Sequence, residues 1–155
     1  MITRDFITAG KASFTVSNGK GERYTFRVTH KEASGTYPAT WFVALLTGPD
    51  NTSDYTYMGM LNPTEGTVRL TRNSKFAEDS TPVRVIRWAL GIVWNSKEFP
   101  SGYKLQHEGK CGRCGRMLTV PESIESGIGP ECAKLMKAKQ QRTQRQHTLT
   151  PVGAE

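Results

Sequence analysis

Cysteine is scarce and confined: three residues, an odd number, all between positions 111 and 132 of a 155-residue chain. A disulfide framework wants even counts and wider scatter, so this usage points to a reducing compartment and a metal. Long apolar runs are also missing. The longest, Trp88 to Trp94, is broken by Gly91, and none approaches the roughly 20 residues that cross a bilayer. The opening Met1-Ile2-Thr3-Arg4-Asp5 holds no apolar signal-peptide core. No membrane partner and a cytoplasmic location are the expectations. Neither a phosphate-binding glycine loop nor a nucleophile–base pair is present, and no enzyme activity is expected. There is no internal repeat of solenoid length. Acidic residues are outnumbered, 14 Asp and Glu against 21 Lys and Arg, for a net charge of +7. A basic protein of this size tends to meet polyanions, although the same charge can serve solubility alone.

What is present suits a folded protein: 36% hydrophobic and 23% charged residues, with six Phe, five Tyr and three Trp for core bulk. Residues 1 to about 10 carry no periodicity and are expected to form a loose arm. Ala12, Phe14 and Val16 then alternate with polar neighbours, Ser17 to Gly21 is turn chemistry around Asn18-Gly19, and Tyr24, Phe26, Val28 and His30 alternate again. This predicts a β-hairpin. The continuous run Trp41 to Leu46 predicts a central strand buried on both faces. Tyr55–Leu61 and Thr67–Thr71 add two more strands. Thr81 stands where a helix cap would, Pro82 suits a first turn, and the polar positions Arg84, Arg87 and Gly91 leave one narrow stripe on an otherwise apolar helix to Trp94. The expected fold class is α+β: a small, mostly antiparallel sheet of about four to six strands packed by one long helix. A treble-clef-like zinc module with a C-terminal helix follows. The expected units are 1–102 (sheet and helix), 103–141 (zinc module) and 142–155 (flexible basic and polar tail).

The zinc module rests on Cys111-Gly112-Arg113-Cys114. Two residues between the thiols let the backbone turn so that both sulfurs face one ion. Gly112 and Gly115 supply the conformational freedom and close approach such a knuckle needs. Cys132 falls near Gly129-Pro130, in the first turn of an expected last helix running to about Gln141. There the free N–H groups and dipole favour a thiolate. Thr119 to Glu122 reads as a capping box opening a one-turn helix that Gly127 can end. A closed tetrahedral zinc needs a fourth ligand. His107, at the end of a possible strand from Tyr103 to Gln106, is the candidate, with Glu108 and Glu131 behind it because structural sites prefer nitrogen and sulfur. His30 belongs to the hairpin and His147 to a polar tail. A zinc deaminase needs His-x-Glu and Pro-Cys-x-x-Cys, and its open coordination position would here be filled by a third thiol. The site therefore reads as one structural Zn2+ with no catalytic residues.

The segments Cys111-Gly112-Arg113-Cys114-Gly115-Arg116-Met117-Leu118-Thr119, Pro121-Glu122-Ser123-Ile124 and Gly127-Ile128-Gly129-Pro130-Glu131-Cys132 resemble a zinc module of small uncharacterised proteins encoded largely by bacteriophages and prophages. Upstream, Thr47 to Asn51, Asp54 to Gly59 and Arg69 to Arg72 are similar to what precedes the module there, so the resemblance spans roughly Thr40 to Ala133. In that family a His precedes the first Cys by the distance of His107. The resemblance implies a phage context, zinc and the host bacterial cytoplasm. Similar modules beside helicase-like regions of larger phage proteins hint at nucleic acid.

Two functions follow as expectations. The first is nucleic-acid binding through a basic surface. From Lys104 to Glu155 there are nine basic and five acidic residues, and Arg113, Arg116, Lys134, Lys137, Lys139 and Arg142 are the candidate contacts. Arg23, Arg27 and Arg69 would join them if the strand registers align. The second is a protein-binding inhibitor of a host defence system or host enzyme, anti-CRISPR-like in kind. It could use the same charge to meet an acidic partner or to occupy a nucleic-acid channel.

Overall fold

The first hairpin forms where apolar alternation sets one face and turn chemistry sets its length. A computed structural model of the chain describes residues 2–50, 53–107, 109–114, 127–129 and 132–137. Strand β1 (Lys11–Ser17) pairs antiparallel with β2 (Arg23–Lys31), bringing Phe14 opposite Phe26 and Ala12 opposite Val28. Between them the Asn18 side-chain oxygen accepts from the amides of Lys20 and Glu22, which fixes the loop. The meander continues through β3 (Thr40–Leu46), β4 (Tyr55–Asn62) and β5 (Thr67–Arg69). A last strand, β6 (Lys104–His107), returns to the opposite edge beside β1. The order is β5-β4-β3-β2-β1-β6, with every neighbouring pair antiparallel.

One face of this sheet is the core. Phe14, Phe26, Val28, Val43 and Met58 are fully buried there, and α2 (Thr81–Trp94) lays Val83, Ile86, Ala89 and Leu90 against them. The expected helix is thus present over 14 residues. Its N-cap is Ser80 rather than Thr81, because Thr81 already has helical geometry and Pro82 sits within the first turn. Arg87, on the predicted polar stripe, reaches across to β5. Its Nε and Nη2 donate to the Val68 carbonyl at 3.2 and 2.9 Å, and it pairs with Glu78. Trp94 Nε1 donates to the Pro63 carbonyl at 3.0 Å, so the helix end is fastened to the β4–β5 turn.

Two sequence expectations are corrected. Trp41 to Leu46 is not buried on both faces: Val43 and Leu45 are buried, while Phe42, Ala44 and Leu46 point to the other, half-exposed face. No described helix covers that second face, so the run alternates in burial although not in residue type. Residues 2–10 are not a loose arm. They form a short helix, α1 (Arg4–Ile7), capped by the Thr3 hydroxyl on the Phe6 amide, with Phe6 and Ile7 completely buried. Four helical residues are too few to show a period; tertiary packing holds them.

A β-bulge shapes β4. Ala44 pairs with Tyr57 and Val43 with Gly59, leaving Met58 as the extra residue. The bulge lets Met58 and Leu61 both face the core while Tyr55, Tyr57 and Met60 share the outer face. No described helix is long and apolar enough to cross a membrane.

Candidate metal centre

The register of β6 places the start of the site. His107 pairs with Phe14, so its side chain stands on the core face at the sheet edge. The chain then turns through Gly109, with φ +77°, into the knuckle. Backbone bonds dock the knuckle onto the sheet. The Lys11 amide donates to the Gly112 carbonyl at 2.7 Å, and the Gly112 amide donates to the Gly127 carbonyl at 2.7 Å. Residues 132–137 are helical, and the Ala133 amide donates to the Gly129 carbonyl at 2.9 Å, which puts Cys132 in the opening turn.

The structure thereby brings together the three cysteines that the sequence singled out. The donor sulfurs of Cys111, Cys114 and Cys132 lie within 4.8 Å of one another; Cys111 and Cys132 are buried, and Cys114 is half-buried. Thiolates about 2.3 Å from one tetrahedral ion would stand about 3.8 Å apart, so a small closure fits a zinc-sized ion. The hydrogen bonds suit anionic sulfur. Cys111 Sγ accepts from the amides of Gly129 at 3.2 Å and Arg113 at 3.4 Å, and Cys132 Sγ accepts from Arg113 Nη1 at 3.6 Å. Burial alone would push the Cys111 thiol up, but amide donors from Gly129, Cys114 and Arg113, with the Cys114 side chain, bring it down to about 7. Cys132 is raised, first by burial and then by its sulfur neighbours, against the pull of Arg113. Three thiols so placed, with amide and guanidinium donors favouring the anionic sulfur, form a set that could hold a metal ion.

His107 stands beside this set rather than within it. Its Nδ1 accepts from the Gly109 amide at 2.9 Å, and its ring lies 5.7 Å from that of Phe6. Of the basic candidates, Lys134 and Lys137 are exposed on the helical stretch. Arg113 is exposed but turned onto Cys132. Arg116, Lys139, Arg142, Glu108 and Glu131 lie outside the described residues, as do the capping box at Thr119 and the end of the last helix. His30 stacks on Trp41 at 4.1 Å and is not among the clustered metal donors.

Sequence reasoning missed Phe6. Its ring fills the space between the knuckle and Gly127: a Cβ on Gly112 would come 2.4 Å from Phe6 Cδ2, and one on Gly127 2.7 Å. Gly112 is therefore needed for space rather than for a positive φ, whereas Gly127, at φ +76°, meets both requirements. The available signal was an aromatic beside Ile7 in an otherwise polar opening, which marks a buried anchor only once its partners are known.

The profile of a family of unknown function (DUF6011) matches residues 106–137, the stretch that carries His107 and all three cysteines. No curated protein and no solved structure matches the chain.

Proposed function

We propose that the chain is a phage-type accessory protein with one structural Zn2+, that it binds nucleic acid through a basic surface, and that it is not an enzyme. The observation that carries this is the buried thiol cluster opening directly onto a cationic helical stretch, with Lys134 and Lys137 exposed just beyond Cys132. Three thiolates suit zinc, which prefers sulfur and nitrogen and takes four ligands in closed structural sites. His107, whose Nδ1 accepts from the Gly109 amide, would be the fourth ligand. When bound, the ion locks the knuckle to the helix start in a treble-clef-like module spanning 103–141. With four protein ligands, such a site would leave no position for an activated water.

Elemental analysis of the purified chain is expected to give one zinc per molecule, falling below half in Cys132→Ser. Fluorescence anisotropy with DNA and RNA, single- and double-stranded, is expected to give micromolar binding that weakens steeply with salt, as counterion release requires. Absence of binding to all four at low salt would overturn the nucleic-acid reading.

One observation favours a second reading, a protein-binding inhibitor of a host system. A groove of about 690 Å³ between α2 and the first hairpin is lined by Tyr24, Val85, Trp88 and Tyr103, and Trp88 and Tyr103 are 37% and 43% exposed. Half-exposed Trp and Tyr beside a pocket are characteristic anchors of protein interfaces. Capture of one host protein that is lost in Trp88→Ala, with nucleic-acid binding absent, would establish it.

A further inference from the structure

The outer face of the sheet carries chemistry that the metal centre does not use. None of the six strands contains an Asp or Glu. Their lysines and arginines are Lys11, Arg23, Arg27, Lys31, Arg69 and Lys104, and the registers put all of them on this one face. The alternation that buries Phe14, Phe26, Val28 and Val43 forces their strand neighbours to the other side. None of the residues that the registers place there is fully buried.

Aromatic rings stand among these cations. One transverse row reads Lys11, Thr29, Phe42, Met60, Arg69 across five strands, about 19 Å from end to end at the ordinary strand spacing. The next row holds Arg27, Ala44 and Tyr57. Phe42 and Tyr57 meet edge to face at 6.1 Å, and the Arg27 guanidinium lies 4.1 Å over the Tyr55 ring. Phe42, Tyr55 and Tyr57 are half-buried, the Tyr57 hydroxyl sharing a hydrogen bond of 2.9 Å with Thr71, and none belongs to the hydrophobic core or packs against it. The bulge at Met58 keeps both tyrosines and Met60 on this side. A purely solvating face has no need of three aromatic rings. An apolar protein interface would lack a border of lysines and arginines.

We infer that this face is a platform for single-stranded nucleic acid, with bases stacking on Phe42 and Tyr57 and phosphates meeting the surrounding lysines and arginines. The inference rests on the nucleic-acid reading above and names its surface and substrate class. Base faces stack on aromatics regardless of sequence, and a cationic rim holds the backbone. Bases in a duplex are already stacked on each other and cannot reach an open sheet, so the strand must be single.

The test uses the full zinc-loaded chain and oligonucleotides of about 15 residues: oligo-dT, oligo-U, and a mixed-sequence strand with its duplex. Single strands are expected to bind at least tenfold more tightly than the duplex. Phe42→Ala and Tyr57→Ala are each expected to weaken binding about fivefold to a hundredfold, the effect of losing one stacked base. Lys11→Glu with Arg69→Glu tests the charged ends of the row at exposed positions where folding is least at risk. Photocrosslinking of the unaltered chain to a 4-thiouridine strand needs no variant, and its adducts are expected on the β3 and β4 peptides. Equal or tighter binding of the duplex, or undiminished binding in these variants with crosslinks on residues 110–137 instead, would overturn the platform and leave the nucleic-acid reading standing. Failure of the unaltered chain to bind any nucleic acid would overturn both. The oligo-dT and oligo-U arms show whether the strand is DNA or RNA.

Discussion

Phe6 is the residue on which the knuckle rests. Its ring touches both glycines that bracket the cysteine cluster and also lies beside His107. Removing it leaves a cavity among Ile7, Cys111 and Ile128 of the same core cluster. Phe6→Ala is therefore expected to cost about 3–5 kcal/mol, the range for large aromatic truncations in a core. It should also lower metal retention during dialysis against a mild chelator; denaturant melts and metal content read the two effects. Gly112→Ala approaches the same contact from the other side. A methyl 2.4 Å from the ring must displace it, so this variant should lose metal at the same chelator concentration while a surface control such as Gly35→Ala does not. Unchanged metal retention in both Phe6→Ala and Gly112→Ala would show that the ring does not support the site. The thiols themselves were legible from spacing alone, because Cys-x-x-Cys chemistry is local. Phe6 was not, because what makes it important lies more than a hundred residues away in the chain.

Among the elements, α2 and β5 show how a short edge strand is held. β5 has only three residues, Thr67–Arg69, and pairs with β4 alone. Arg87 from α2 closes its free side by donating twice to the Val68 carbonyl. Arg87→Ala would leave that carbonyl without its guanidinium partner, and a loss of about 1–3 kcal/mol is expected. Arg87→Lys should recover little, since one ammonium cannot supply the paired donors of a guanidinium. Urea melts of the two variants test this; a loss confined to Arg87→Ala would point to packing of the side-chain stem instead. The hairpin and the helix could be anticipated from period and turn chemistry. The β4 bulge could not, because Tyr55 to Leu61 does not alternate cleanly and only pairing with β3 shows which residue is extra. Ser80 in place of Thr81 at the N-cap is a shift of one residue, and its hydroxyl donates back to the Ala77 carbonyl rather than capping the helix.

At the scale of the molecule, sheet and metal centre are coupled at one edge. β6 belongs to the sheet by its pairing with β1 and leads directly into the knuckle, while the Lys11 amide ties the start of β1 to Gly112. A boundary at 102/103 thus falls just before the strand that joins the two parts. Removing the ion should first release the amides whose bonds depend on the knuckle, then expose α1, and leave β3 and β4 protected until global unfolding. Hydrogen exchange with and without chelator is expected to show lost protection at Lys11, Gly112 and α1, with β3 and β4 unchanged. Uniform loss across the sheet would mean that the ion holds the whole fold. By itself the sequence determined the antiparallel hairpin, the helix from Thr81 to Trp94 and the three thiols that converge, because each of these follows from local period or spacing. The tertiary structure decided which face of Trp41 to Leu46 is covered, that Phe6 is core, and that every strand cation shares one open face with Phe42, Tyr55 and Tyr57. Those outcomes depend on register between strands far apart in the chain, and register is settled only when the apolar faces pack together.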